Sequence, residues 1–321
     1  MIAIIVLGFL IVLTAAIFFC FQNVIVRVLF TPQTLLGFWP TGGFVSPTLY
    51  HSLLLLLLRM AVVVPLMATL ARALYPKTWQ EIRSLSTQPQ RPLLLQTLAC
   101  GFLMFLYLVL LYIAVGLIPT GIALTLFFSY PVFTALLAWY LFGDRPTALR
   151  WSVMGLVLVG SALTVPQRAS GAVNLGWGVA MGIASGLAYA GYTVIAQKSV
   201  AHLHPVPFTW ISFLTTLVLS VFCLSFWPHH ETALPWLPLW IGGFCSALVT
   251  FVGHLLHNYG IRLIGASQAA IIGATNPALT AVLAWFTIQE RLTVLQVSGI
   301  LLVTLSVALL SRRLEPQALM D

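Results

Sequence analysis

The chain has 321 residues, of which 60% are hydrophobic and only 6% charged; soluble domains carry about a quarter charged residues, so a soluble globular protein is excluded. The formal net charge is +8, yet most of the 14 Lys and Arg residues sit in short gaps between apolar runs rather than in one basic patch with interleaved aromatics. That pattern fits a membrane and excludes nucleic acid as a partner. The four cysteines lie singly inside apolar runs, so neither a disulfide framework nor a zinc site is expected.

Ten apolar segments follow in chain order, near 4–26, 49–71, 93–115, 119–142, 149–166, 175–197, 206–227, 236–258, 265–287 and 294–311. A span needs about 20 apolar residues, so an all-α integral membrane protein of ten transmembrane helices is predicted, with no soluble domain. The first segment lacks a basic start and a small-residue cleavage site and reads as a retained helix; it carries Gln22 and Asn23. The loop 31–47 is rich in Gly and Pro. The second segment holds Arg59 about ten residues from either end, between Leu53–Leu58 and Met60–Pro65. An intramembrane charge costs at least about 3 kcal/mol on insertion scales, so Arg59 should face the bundle interior. It is either a docking point for a carboxylate or phosphate or a structural arginine bonded to helix-break carbonyls.

Tyr112 lies in the third segment, and Ser129, Tyr130 and Pro131 in the fourth. Residues Gln167 to Gly171 mark a midpoint, dividing the chain into halves at 1–167 and 174–313. The sixth segment has Gly178, Gly182, Gly186 and Ala190 four residues apart, a packing surface for close helix approach rather than a phosphate loop, and also Tyr192. The eighth carries His254, His257 and Asn258; the ninth carries Gln268, Thr275, Asn276 and Pro277. His202, His204, His229 and His230 read as polar loop residues, and Trp139 and Trp285 as interfacial anchors.

The fourth and ninth segments repeat one another. Pro131-Val132-Phe133-Thr134-Ala135-Leu136-Leu137-Ala138-Trp139 returns as Pro277-Ala278-Leu279-Thr280-Ala281-Val282-Leu283-Ala284-Trp285, an offset of 146 residues. The match continues through Asp144-Arg145-Pro146-Thr147 and Glu290-Arg291-Leu292-Thr293, and aligns Tyr112 with Asn258 and Ser129-Tyr130 with Thr275-Asn276. A weaker match pairs Asn23-Val24-Ile25 with Thr193-Val194-Ile195. Duplicated, proline-interrupted apolar segments point to a transporter's substrate site. Five spans per half reverse the second copy, giving two inverted five-helix repeats. With the N-terminus inside, the cytoplasmic side holds Arg72, Lys77, Arg83, Arg91, Arg145, Arg150, Lys198, Arg262, Arg312 and Arg313, against Arg27, Arg168 and Arg291 outside. This bias places both termini in the cytoplasm.

These residues resemble the drug/metabolite transporter superfamily in its ten-helix, two-EamA-domain form: a proline before a small-aliphatic run, a short turn near Gly143-Asp144-Arg145 or Gln289-Glu290-Arg291 with a threonine, then a helix containing Gly155 or Gly299. The resemblance implies secondary transport of small metabolites, often export, across the bacterial inner membrane, and a central cavity lined by helices 1–4 and 6–9. No cofactor is expected.

The candidate substrate-binding residues are therefore Arg59, Tyr112, Ser129, Tyr130, His254, Asn258, Gln268, Thr275 and Asn276, with Gln22, Asn23 and Tyr192 lining the cavity. Pro131 and Pro277 break their helices by removing a backbone donor, and the freed carbonyls need protein or water partners. Ser129 and Thr275 equally fit a role in repairing those breaks. His254 is the expected proton carrier if transport is proton-coupled, since no apolar segment contains Asp or Glu. No metal site is expected, because no carboxylate joins the histidines. The alternatives are a lipid-carrier flippase of the same fold and, below it, a membrane-embedded enzyme, for which no paired carboxylates or ligand cluster exist. Cargo, coupling ion and oligomeric state are not specified by these residues.

Overall fold

The structure is a computed structural model that describes residues 2–46, 48–117, 123, 126–143, 145–164, 175–227, 234–288 and 293–317. The described chain is helical apart from one hairpin. Its elements are α1 (Ile2–Phe30), β1 (Pro32–Leu35), β2 (Trp39–Gly42), α2 (Leu49–Leu74), α3 (Thr78–Ser84), α4 (Arg91–Leu117), α5 (Tyr130–Phe142), α6 (Ala148–Thr164), α7 (Leu175–His202), α8 (Pro205–Ser225), α9 (Trp236–Gly273), α10 (Asn276–Ile288) and α11 (Val294–Gln317). Among the described residues, six helices are long and apolar enough to cross a membrane, and shorter apolar helices accompany them. This is an all-α membrane protein. Asp144, Glu290-Arg291, the midpoint loop, and His229 and His230 lie outside the described residues.

Two local features depart from the sequence pattern. The loop 31–47 contains an antiparallel hairpin, Leu35 paired with Trp39 and Pro32 with Gly42. It folds back on the end of α1, where Gly43 N–H donates to Val28 O at 3.0 Å and Phe44 N–H to Leu29 O at 2.9 Å, satisfying carbonyls that a helix end leaves free. Gly42 has φ +97 and a Cβ there would lie 2.4 Å from Val28 O, so only glycine fits. The second departure is the length of α9, which runs through two predicted segments and breaks at Gly265 (φ 80, ψ 164). Gln197 Oε1 accepts from Ala266 N–H at 2.7 Å and so caps the new helical stretch.

The two proline breaks are alike. Helix is interrupted by a turn at Phe128-Ser129 before α5 and at Ala274-Thr275 before α10. Ser129 Oγ donates to Leu126 O at 2.6 Å, and Thr275 Oγ1 to Ile272 O at 2.7 Å. Both hydroxyls are thus spent on the preceding turn, on the carbonyl one residue before the one that the proline leaves without a donor.

Helix packing follows a swapped pattern. α1 lies antiparallel to the first part of α9, with Gly8 at Ile264, Gly260 at Val12, Gly253 at Phe19 and Gly242 at Leu29. α4 lies against α7 in the same sense, Cys100 near Tyr192 and Leu103 near Gly191. α2 packs on α8, α6 on α11, α5 on α7 and α10 on α1. Lipid tails are as apolar as leucine, so these contacts gain from close approach rather than from leaving water. Gly182 and Gly186 illustrate it: a Cβ at Gly186 would lie 2.9 Å from Phe127 O, the carbonyl whose helical partner Pro131 lacks. The bundle centre is filled by Leu56, Met60, Met67, Met104, Tyr192, Phe208 and Phe213, while Leu10, Phe102, Val159, Phe222 and Leu301 face outward. Trp139 and Trp285 are exposed near the ends of α5 and α10.

Candidate functional site

Arg59 projects from α2 into the bundle and is only 7% exposed. Gly243 lets α9 approach α2, since a Cβ added there would lie 3.2 Å from Leu58 Cβ, and so brings Ser246 and Thr250 near the arginine's level. Between them stands Gln22 of α1. The carboxamide orientation that satisfies every neighbour has its oxygen accepting from Arg59 Nη1 at 2.9 Å and its nitrogen donating to Ser246 O and Thr250 Oγ1, both at 3.0 Å. Arg59 Nε is buried with no hydrogen-bond partner among the described residues. The six acids of the chain are Glu81, Asp144, Glu231, Glu290, Glu315 and Asp321, and none lies within the ten apolar segments.

A cavity opens at this point, between α1, α2, α4 and α9. Arg59, Gln22, Tyr112 and Ser246 form its polar part; Val26, Leu29, Phe30 and Leu55 its apolar part. Its walls enclose about 300 Å³, open space included, but the centre of a water molecule has only about 10 Å³ to occupy. That is room for roughly one water. The sequence pattern groups Arg59, Tyr112 and Gln22 in one site, and the structure brings these three together.

The other expected site residues are placed elsewhere. Asn276 is taken up in holding α10 to α1: its Oδ1 accepts from Asn23 Nδ2 at 2.7 Å and its Nδ2 donates to Ala16 O at 3.2 Å. Asn23 Nδ2 also reaches Thr280 Oγ1 at 3.1 Å. The matched residues in the other half, Thr193 and Thr134, meet at 3.3 Å. Tyr130 is buried among Tyr107, Phe127 and Tyr189, 4.7 Å from the Tyr189 ring, with its hydroxyl against Gly273. Tyr192 Oη donates to Asn258 Oδ1 at 3.0 Å, and Asn258 Nδ2 to Thr209 Oγ1 at 2.9 Å. His254 is packed on Phe19 and Phe213, with Nδ1 unpartnered among the described residues, and His257 lies 3.4 Å from Tyr189 Oη. Gln268 is half-buried, its Oε1 without a partner among the described residues. Pro131 is buried, and Pro277 stands in the first turn of α10. None of these residues lines the Arg59 cavity.

A second polar cluster is one that the sequence pattern does not foretell. It lies where the end of α2, α3, the start of α8 and the late part of the first stretch of α9 meet. His204 is not merely a polar loop residue. It is the N-cap of α8, its Nδ1 accepting from Val206 N–H at 3.3 Å. The proton of the neutral ring is then assigned to Nε2, which faces Tyr259 Oη at 3.1 Å. Tyr75 stacks on the ring at 3.8 Å and donates to Glu81 Oε1, while His204 N–H donates to Glu81 Oε2 at 3.3 Å. Burial holds the His204 pKa below the ordinary histidine value, helped by the positive charge of Arg262 and opposed by Glu81. The hydrogen bond to Glu81 pushes the Tyr75 phenol up. The available signal was Pro205, since a proline at the first helical position makes the residue before it a cap.

No group of His, Cys, Asp and Glu among the described residues could hold a metal ion. The pattern of the EamA-like transporter family matches residues 176–312. A Synechocystis protein described as uncharacterized transporter sll1319 is 62% identical over 95% of this chain and 93% of its own length. The chain belongs to the EamA-like transporter family. It thereby falls within the drug/metabolite transporter superfamily. A Bacillus subtilis relative, uncharacterized transporter YvbV, is 24% identical over 64% of the chain and 67% of its own length. A protein of known crystal structure, 17% identical, superposes with a TM-score of 0.71 over 95% of this chain and 98% of its own, a likeness of fold.

Proposed function

We propose that the protein is a secondary transporter of the bacterial inner membrane that exports a small polar or amphipathic metabolite, an amino acid or a related solute, by alternating access. The observation that carries this reading is Arg59: a buried cation with an unused donor, no carboxylate partner among the described residues, and a cavity beside it. Burying a charge without a counter-ion is costly, and function is the usual reason for an intramembrane charge that persists. Arg59, Tyr112 and Gln22 are the proposed substrate contacts. Asn276 holds α10 to α1, the helix that carries Gln22.

Ten spans in two inverted five-helix repeats, residues 1–167 and 174–313, form the proposed frame. Within it α9 supplies the eighth span and the start of the ninth, and α10 completes the ninth. Three observations support it: the breaks before α5 and α10 fall at the duplicated prolines, the same hydroxyl bond to the carbonyl three residues back occurs at both, and the α1–α9 and α10–α1 contacts recur as α7–α4 and α5–α7. With both termini cytoplasmic, the Arg59 cavity lies toward the outer face and the His204 cluster toward the cytoplasm. One half would rock against the other to exchange these states. The single cation at the cavity gives the flippase alternative no support.

The test is reconstitution of the purified chain in vesicles preloaded with a metabolite mixture. Substrate-dependent efflux that is lost in Arg59→Gln, with the variant inserted in equal amount, is the expected result. Efflux that is unchanged in this variant removes Arg59 from the site.

A further inference from the structure

We infer that the Arg59 cavity selects a small amphipathic monoanion, a monocarboxylate with a short apolar body, over the zwitterionic amino acid of the same skeleton. The inference rests on the transporter reading and narrows its cargo.

Charge comes first. Arg59 is the one ionised group in the cavity wall, and no described carboxylate is paired with it. A carboxylate therefore finds its counter-ion there. An ammonium group finds none: its acceptors would be neutral hydroxyls and backbone carbonyls, and it would share the site with the guanidinium charge. Stripping water from an ammonium without supplying a counter-ion is strongly unfavourable.

Hydrogen bonding points the same way. Gln22 occupies Arg59 Nη1 and the Tyr112 hydroxyl also bonds the guanidinium, leaving Nε as an unused donor in a side chain that is more than nine-tenths buried. A guanidinium offers donors in a planar fork that a carboxylate fits with two parallel hydrogen bonds, and the Nε edge is one such fork. A single carbonyl or hydroxyl acceptor would leave half of it unused.

The gradient along the cavity sets the rest of the molecule. Gln22, Arg59 and Ser246 lie deeper along their helices than Phe30, Leu29, Leu55 and Gly242, which approach the ends where the hairpin and the start of α9 lie. A carboxylate at the arginine would direct an attached carbon chain along Val26, Leu29 and Leu55. The room present is roughly one water, so the helices around the cavity must part for the chain to enter.

The experiment uses three solutes that share one five-carbon chain and differ in the charged groups it carries. Hexanoate has the carboxylate alone, norleucine has both charges, and pentylamine has the ammonium alone. Each is titrated calorimetrically into the purified full-length protein in detergent, and each is then followed in reconstituted vesicles. The expected result is hexanoate binding at least about tenfold tighter than norleucine, no saturable pentylamine binding, and loss of hexanoate binding in Arg59→Gln. Norleucine binding as tightly as hexanoate overturns the inference, as does absence of hexanoate binding to the unmodified protein. Should Arg59→Gln fail to fold, the three solutes on the unmodified protein decide it. Transport of norleucine or pentylamine without hexanoate binding sinks the substrate class and leaves the transporter standing. Hexanoate bound through Arg59 while none of the three crosses the vesicle does the reverse.

Discussion

The buried Arg59 and the half-buried cluster around His204 treat their polar groups in opposite ways. Around His204 the main polar groups are paired: Glu81 accepts from Tyr75 and from the His204 backbone, and the imidazole is used at both nitrogens. Around Arg59 one nitrogen is left over beside a cavity. A saturated network fastens elements together, whereas an unsaturated one has capacity for a guest. The difference teaches that burial and charge alone do not mark a site. What marks it is an unpaired group with space next to it.

Four measurements would break or sharpen this contrast. The largest effect is expected at the unsaturated cluster: Arg59→Gln should lower transport by about a hundredfold, the scale of removing one partner of a buried charge contact. Its thermal midpoint should fall less than that of the Glu81 variant below. If the two fall equally, Arg59 is a fastener like the others.

Glu81→Leu should do the opposite, destabilising the protein by about 1–3 kcal/mol, because the Tyr75 hydroxyl and the His204 amide lose their acceptor. Chemical or thermal denaturation in detergent measures this. A neutral result would mean that water replaces the carboxylate and that the cluster is not closed.

Asn258→Ala tests a saturated pair deeper in the bundle. It strands Tyr192 Oη and should cost about 1–2 kcal/mol in the same assay while leaving hexanoate affinity unchanged. A changed affinity would extend the binding site across to α7.

The smallest effect is the pH response of His204. Its folded-state pKa is lowered, so the unfolded chain binds the proton more readily. The cap's contribution is complete above the unfolded value, about pH 6.5, and is lost as pH falls from there through the folded value. The thermal midpoint should decline over that window, and His204→Asn, which keeps a capping oxygen, should flatten the decline. An unchanged slope would mean that the ring is not the group titrating.

The fourth and ninth segments and the link after α2 differ in how readily they can be read. Pro131 and Pro277 announce their breaks, and Ser129 and Thr275 fall where repair is one of two roles open to them, because a missing N–H acts within one turn of the chain. The link near Pro76 gives no hint that Glu81 meets His204. Likewise the matched position of Asn276 points to a substrate contact, yet the side chain is consumed by Asn23 and Ala16, residues more than two hundred and fifty positions away.

Hydrophobic runs, their breaks and the lone deep cation are properties of the chain taken a turn at a time, and the amino-acid order therefore already dictated the membrane class, the two proline breaks and the inward face of Arg59. Whether a given polar group would be satisfied or left waiting was settled only when the helices met. That outcome depends on which partners packing brings within about 3 Å, and hydrogen bonds decay too steeply with distance for local pattern to foretell it.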